Sequence, residues 1–342
     1  MGGHIERLRT LGLTLLYYTA LSVSSSVLGQ DVGQTRELFG DPNFERGFRV
    51  EDNQDDPAFL GVLRLPFSGQ TPSEEKPVWS MATHLSKYNI VKGKYEIGEN
   101  VSTSTTPGQV VSLSKDEHGV VTLKLGVRTE NEYDGPRKNG QFWIHLLLIR
   151  DFEGVERVAF KDVNSLVFSC DARVSNVAKT GPDEEYDPTL HTTQASVYFA
   201  IANNNPESPD FRDYIWFGVS FYDERYEVQT DYVRVDGDPQ TIGTGKLIYR
   251  LGEQRTIDDL MGGVNPNTQK WVHIEIDLNK YLPDAIKAAH EQGFLLNSEV
   301  EDFVVVHFNF GWETPGTYRS DLEMKNLRLT ATFKEETSPA QR

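Results

Sequence analysis

Tyr214-Ile215-Trp216-Phe217-Gly218-Val219-Ser220-Phe221-Tyr222-Asp223 divides into two rows. Ile215, Phe217, Val219 and Phe221 are apolar, whereas Tyr214, Trp216, Gly218, Ser220 and Tyr222 are aromatic, small or polar. Successive strand residues point to opposite faces of a sheet, so this alternation predicts a strand with one face in a core and a second face of unusual chemistry.

The same period recurs on both sides. Val120 to Val127, Phe142 to Ile149, Leu166 to Val174, Ala195 to Ala202, Lys246 to Leu251, Trp271 to Leu278, Phe303 to Phe310 and Leu322 to Phe333 all read as strands separated by turn residues. One segment reads as helix, Leu282 to Gln292, with Pro283 in its first turn and Gly293 at its stop. Many strands with a single late helix predict an all-β, two-sheet antiparallel jelly-roll sandwich. Residues 30–76 read as a loop-rich lead-in with short strands near Gly47 to Val50 and Gly61 to Leu65. Residues 77–334 read as one sandwich domain, and 335–342 as a polar tail.

The N-terminus reads as an address. Arg7 and Arg9 precede the apolar run Leu11 to Val23, and Val27 and Gly29 suit a cleavage site before Gln30. A run this short falls below the roughly 20 residues that cross a bilayer, so residues 1–29 are expected to be a signal peptide and the protein secreted or periplasmic. No later stretch is apolar enough to span a membrane. The chain carries 51 acidic against 34 basic side chains, a formal charge of -17, which argues against a nucleic-acid protein, since binding phosphates needs a basic face. The same charge argues against a long polyanionic substrate unless Arg and Lys are concentrated at one site, and if the protein cleaves its ligand a neutral or weakly charged glycan is expected. Cys170, the only cysteine, alternates with Leu166, Phe168, Ala172 and Val174 and is expected to be a small buried hydrophobe.

The faces opposite the aliphatic rows carry the functional signal. Solvated strand faces favour Thr, Lys, Glu and Ser, but here the opposite rows hold Gln194, Ser196 and Tyr198, Tyr214 and Trp216, Trp143 and His145, and His307 and Asn309. Flat amphipathic rings mixed with hydrogen-bonding groups suit a sugar, whose C–H faces stack while its hydroxyls need partners. The other reading is a second core layer of strand-favouring aromatics. Strand mouths add Asp223 with Arg225, and Trp312 with Glu313. The substrate-binding set expected from these rows is Trp143, Gln194, Tyr198, Tyr214, Trp216, Tyr222, Asp223, Asn309 and Trp312. The catalytic candidates are His145, His191, Arg225, His307 and Glu313, which supply proton-transfer and charge-neutralising groups.

Two acidic loops, Asp183 to Asp187 and Asp236-Gly237-Asp238, offer oxygen ligands of the kind Ca²⁺ takes, but neither matches a twelve-residue calcium loop, so no cofactor is expected. Asn100-Val101-Ser102 is a glycosylation sequon.

Glu275-Ile276-Asp277 resembles the start of the catalytic signature of laminarinase-type glycoside hydrolases, which are also sandwiches. The second glutamate of that signature is absent, since Leu278, Asn279 and Lys280 follow. The His, Tyr, Arg and Gln set is similar in residue types to that of extracellular jelly-roll polysaccharide lyases. In general outline the chain resembles secreted concanavalin-type or jelly-roll carbohydrate-active proteins, and the resemblance implies a polysaccharide partner. Two classes stay open: a carbohydrate-active enzyme, hydrolase before lyase, and a non-catalytic glycan-binding or structural sandwich.

Overall fold

The computed structural model describes residues 34–54, 56–226, 231–237, 243–252, 260–261, 266 and 269–335. The expected signal peptide, Asp238 and the tail beyond residue 335 lie outside them. Among the described residues the chain forms β1 (Thr35–Glu37), β2 (Phe48–Gln54), β3 (Asp56–Leu63), β4 (Trp79–Ala82), β5 (Lys94–Ile97) and β6 (Val101–Thr105). It continues through β7 (Gln109–Lys115), β8 (Val121–Arg128), β9 (Ile144–Asp151), β10 (Val163–Lys179), β11 (Gln194–Asn203) and β12 (Tyr214–Asp223). β13 (Tyr232–Val235), β14 (Leu247–Leu251), β15 (Val272–Asp277), α1 (Leu278–Glu291), β16 (Phe303–Thr314) and β17 (Tyr318–Phe333) complete it.

The strands make the expected two-sheet sandwich. One sheet runs β15-β10-β17-β8-β7-β6-β5, with β1 also on β17, and the other runs β13-β14-β12-β11-β16-β9-β4-β2-β3. Pairing is antiparallel except for β12 with β14 and β2 with β4, which are parallel. The lead-in supplies strands to both sheets, and its Phe39, Phe44 and Phe48 are buried. Between the sheets Phe168 meets Phe199 and Phe308 at ring separations of 5.5 and 5.4 Å. Cys170 is buried in the same core, where burial pushes its thiol up.

The helix starts four residues before its expected position. Asp277 caps it, accepting from the Asn279 N–H, and Pro283 lies inside it. The same Asp277 accepts from the Leu166 N–H at 3.0 Å, so this carboxylate of the Glu275-Ile276-Asp277 run is spent on the fold. Leu282, Ala285, Ile286 and Ala289 turn inward, and α1 packs against β10 and β14.

Two bulges correct the alternation read from sequence. On β12 the register skips Phe221, since Ala195 opposes Tyr222 and Ser196 opposes Ser220. One extra residue reverses the parity of everything after it. Tyr222 therefore turns into the core against Trp312, and Asp223 takes the outer face. On β16 the register skips Val306, so the core row is Phe303, Val305, Phe308, Phe310 and Trp312, where unbroken alternation back from Phe308 would place Val304 and Val306.

Candidate functional site

β16 also runs four residues past its expected end, and alternation then carries Trp312 inward. Its side chain is fully buried, and its indole N–H donates to the Leu125 carbonyl of the opposite sheet at 3.0 Å. Trp312 and Tyr222 are thus core residues, not a ligand wall.

The remaining outer-face residues fall into cross-strand rows. Trp216, Ala200, His307 and Asp151 form one; Arg250, Gly218, Tyr198, Asn309 and Ile149 the next. Ser220, Ser196, Gly311 and Leu147 follow, and then Gln194, Glu313 and His145. The third row is made of small residues apart from Leu147, and it separates the Tyr198 row from a row of hydrogen-bonding groups.

Trp216 is the centre of the aromatic part. It meets Tyr214 edge-on at 5.5 Å, His307 at 5.6 Å and Tyr198 at 6.3 Å. Its N–H donates to Thr244 Oγ1 at 3.2 Å, and Thr244 in turn donates to Asp236. Trp216, Tyr198 and Tyr214 are all half-buried, so solvent reaches the rings. Burial raises the Tyr198 hydroxyl to about 12, with Arg250 drawing it down and Glu313 adding to the rise.

His307 is held from both sides. Its Nδ1 lies 2.6 Å from Asp151 Oδ1, and Asn309 Nδ2 lies 3.3 Å from its Nε2. With a proton on Nδ1 the ring donates to Asp151. Burial pushes Asp151 up, but the hydrogen bond from His307 and the charges of His307, Arg150 and Arg157 outweigh it and leave the carboxyl below its ordinary value.

At the far row Gln194 Nε2 donates to Glu313 Oε2 at 2.7 Å. Arg225 reaches Gln194 Oε1 at 3.3 Å while gripping the buried Asp223 with two bonds of 2.9 and 2.6 Å. Arg225 and Asp223 are therefore a braced pair at the edge of the face. His145 sits near Glu313 with its Nδ1 buried and without a hydrogen-bond partner among the described residues. Burial lowers its affinity for a proton, and Glu313 works against that. Trp143 lies one step before β9 on the same face, half-buried.

His191 does not join the set. It is buried in the 185–191 loop, where Nδ1 accepts from the Asp187 N–H at 3.0 Å and Nε2–H donates to the Arg137 carbonyl at 2.8 Å. Both ring nitrogens are used in holding that loop. The acidic loops are similarly engaged: Asp183 with Lys179, Asp187 with Thr189, and Asp236 with Thr244.

Sequence reasoning missed Asp151, Arg250 and His84. Asp151 continues the 145, 147, 149 alternation and was legible in it. Arg250 was not, because only the parallel pairing of β14 with β12 brings it beside Gly218. His84, with its ring 5.7 Å from that of His145, comes from a loop with no periodicity.

No protein-family model matches this chain, and no curated protein sequence matches it. Solved structures are similar to it at a distance. A family 11 xylanase from Neocallimastix patriciarum is 10% identical, covering 69% of this chain and 97% of that one, with a TM-score of 0.35. A native family 12 xyloglucanase from Bacillus licheniformis is 9% identical, covering 71% and 98%, at 0.38. Endoglucanase cel12A from Rhodothermus marinus is 8% identical, covering 67% and 92%, at 0.33. At these values no chemistry is transferred from them to this chain. Among the described residues no helix is long and apolar enough to cross a membrane.

Proposed function

We propose that the outer face of the nine-stranded sheet is a glycan-binding groove in an extracellular protein. The observation that carries this is the setting of Trp216, a half-buried indole ringed by Tyr214, Tyr198 and His307 on a face that also presents Asn309, Gln194 and Glu313. Rings alone would make a second core. Rings that keep contact with solvent beside hydrogen-bonding groups match the two kinds of surface a sugar has.

Binding without hydrolysis is favoured by the placement of carboxylates. Glu313 opposes His145 and Asp151 opposes His307, so the two lie six residues apart along paired strands. At about 3.3 Å per residue that is about 20 Å, whereas glycosidases separate their two carboxyls by about 5 to 9.5 Å. Those two groups do not form a hydrolytic pair. A second reading, catalysis by proton transfer, is supported by Tyr198, whose row on this face also holds Arg250.

A polysaccharide panel tests both readings. Retention of the protein in a glycan-containing native gel, lost in Trp216→Ala, is the result expected for the groove. Release of reducing ends or unsaturated products would establish catalysis, and the absence of retention on every polymer would refute the glycan site.

A further inference from the structure

The cations around this groove differ in how they are neutralised. Lys246 bonds Asp213 at 2.6 Å, and Arg225 grips Asp223. Arg250 has no carboxylate partner among the described residues, and its Nε is buried with no hydrogen-bond partner there. The chain does not lack candidates, since acidic residues outnumber basic ones by 51 to 34. A buried donor without an acceptor is rare in folded proteins and calls for a group that would complete it.

The position of Arg250 is also specific. It pairs with Gly218, which pairs with Tyr198, in the row next to Trp216. A Cβ at Gly218 would come 3.1 Å from Arg250 Cγ and 2.4 Å from Tyr198 Cε1, so both side chains lean over the glycine from opposite sides. The Tyr232 ring lies 4.9 Å from the guanidinium and backs it on the edge-strand side. Stacking of this kind fixes the plane of the fork and leaves its donors for a planar acceptor.

We propose that the groove selects an acidic glycan, seating an anionic oxygen group of the sugar, a uronate carboxylate or a sulfate ester, on Arg250 beside the Tyr198 hydroxyl. This rests on the groove being a glycan site. It reverses the expectation drawn from net charge, and the reason is range. At physiological ionic strength the whole-molecule field is screened over about 8 Å, so an anion in the groove responds to the nearest groups. Glu313, the acidic group that also touches the Tyr198 environment, is tied to Gln194 and lies four residues along β16 from the Tyr198 row, about 13 Å.

The test compares polygalacturonate with the same polymer after carboxyl reduction, in native gels run with the full chain, with a sulfated galactan in parallel. Wild type should be retained about tenfold or more strongly by the polyuronate than by its reduced form. Arg250→Gln should bring that ratio toward one, and Arg250→Lys should restore part of it, because a point charge replaces the fork. Retention by the sulfated polymer that also falls in Arg250→Gln supports a seat for any anionic oxygen group; its absence supports a seat for carboxylate alone. Equal retention of both forms of the polymer by wild type, lost in Trp216→Ala, would overturn the anion seat and leave the glycan groove standing. No retention of any polymer, or retention indifferent to Trp216→Ala, would overturn the groove and the anion seat together. The wild-type comparison decides even if an Arg250 variant does not fold.

Discussion

The Tyr198 ring lies over Gly218, so close that a Cβ on the glycine would stand 2.4 Å from Tyr198 Cε1. The missing side chain is what allows the ring to cross β12 toward Arg250. Gly218 has no left-handed backbone requirement, so its role is space rather than conformation.

Gly218→Ala should therefore act on the groove before it acts on the fold. The contact is with the far end of a side chain that can swing toward solvent, so stability should change by no more than about 1 kcal/mol. Displacing the ring should weaken glycan retention about tenfold. Native-gel retention and the urea midpoint, measured together, check this. Wild-type affinity in Gly218→Ala would mean that the ring position does not matter to the ligand.

Acid should destabilise the protein through His84. Burial, joined by the charges that His145 and His307 would carry, holds His84 unprotonated down to about 3. The unfolded chain protonates such a ring near 6.5. Between those values the unfolded state takes up a proton that the native state refuses. Its contribution is thus full above about pH 6.5 and lost as the pH falls toward 3, by about 1.4 kcal/mol per unit at most. His84→Gln should flatten the urea midpoint between pH 6.5 and 4 relative to wild type. Parallel pH profiles for the two proteins would show that His84 titrates normally.

How much of this was legible depends on parity. Ile215, Phe217 and Val219 inward with Tyr214 and Trp216 outward follow from alternation alone, and the structure has them so. Tyr222 and Trp312 were misread for two separate physical reasons, a bulge that adds a residue and a strand that continues past Phe310. Neither leaves a local sign in the sequence, because the bulge is set by which residues of β11 pair with β12. The row order that joins Arg250 to Tyr198 is likewise a property of sheet topology.

Cys170→Ala should cost about 1 kcal/mol or somewhat more and leave glycan retention unchanged. The thiol is fully buried between the sheets on β10, and its neighbours along the inward row are Phe168 and Ala172. A thiol reagent should react with the native protein only as fast as it unfolds. Rapid labelling of folded protein, or loss of retention in a folded Cys170→Ala variant, would reveal a role that burial does not explain.

Trp216 and Trp312 give the sharpest contrast, since one indole faces the groove and the other the core. Trp216→Ala removes the ring that Tyr214, Tyr198 and His307 surround but leaves Ile215, Phe217 and Val219 packed, so affinity should fall by about 1 to 3 kcal/mol and exceed the loss of stability. Trp312→Phe keeps most of the buried ring and deletes the N–H that reaches the Leu125 carbonyl across the sandwich. That carbonyl then loses one of its donors in a dry core, at a cost of about 1 kcal/mol of stability. Retention by glycan should be unchanged in Trp312→Phe when measured well below its unfolding temperature. Thermal unfolding and native-gel retention of the two variants should thus move in opposite proportions. If Trp216→Ala loses stability and keeps affinity, the aromatic row is a second layer of packing and the groove is not a glycan site.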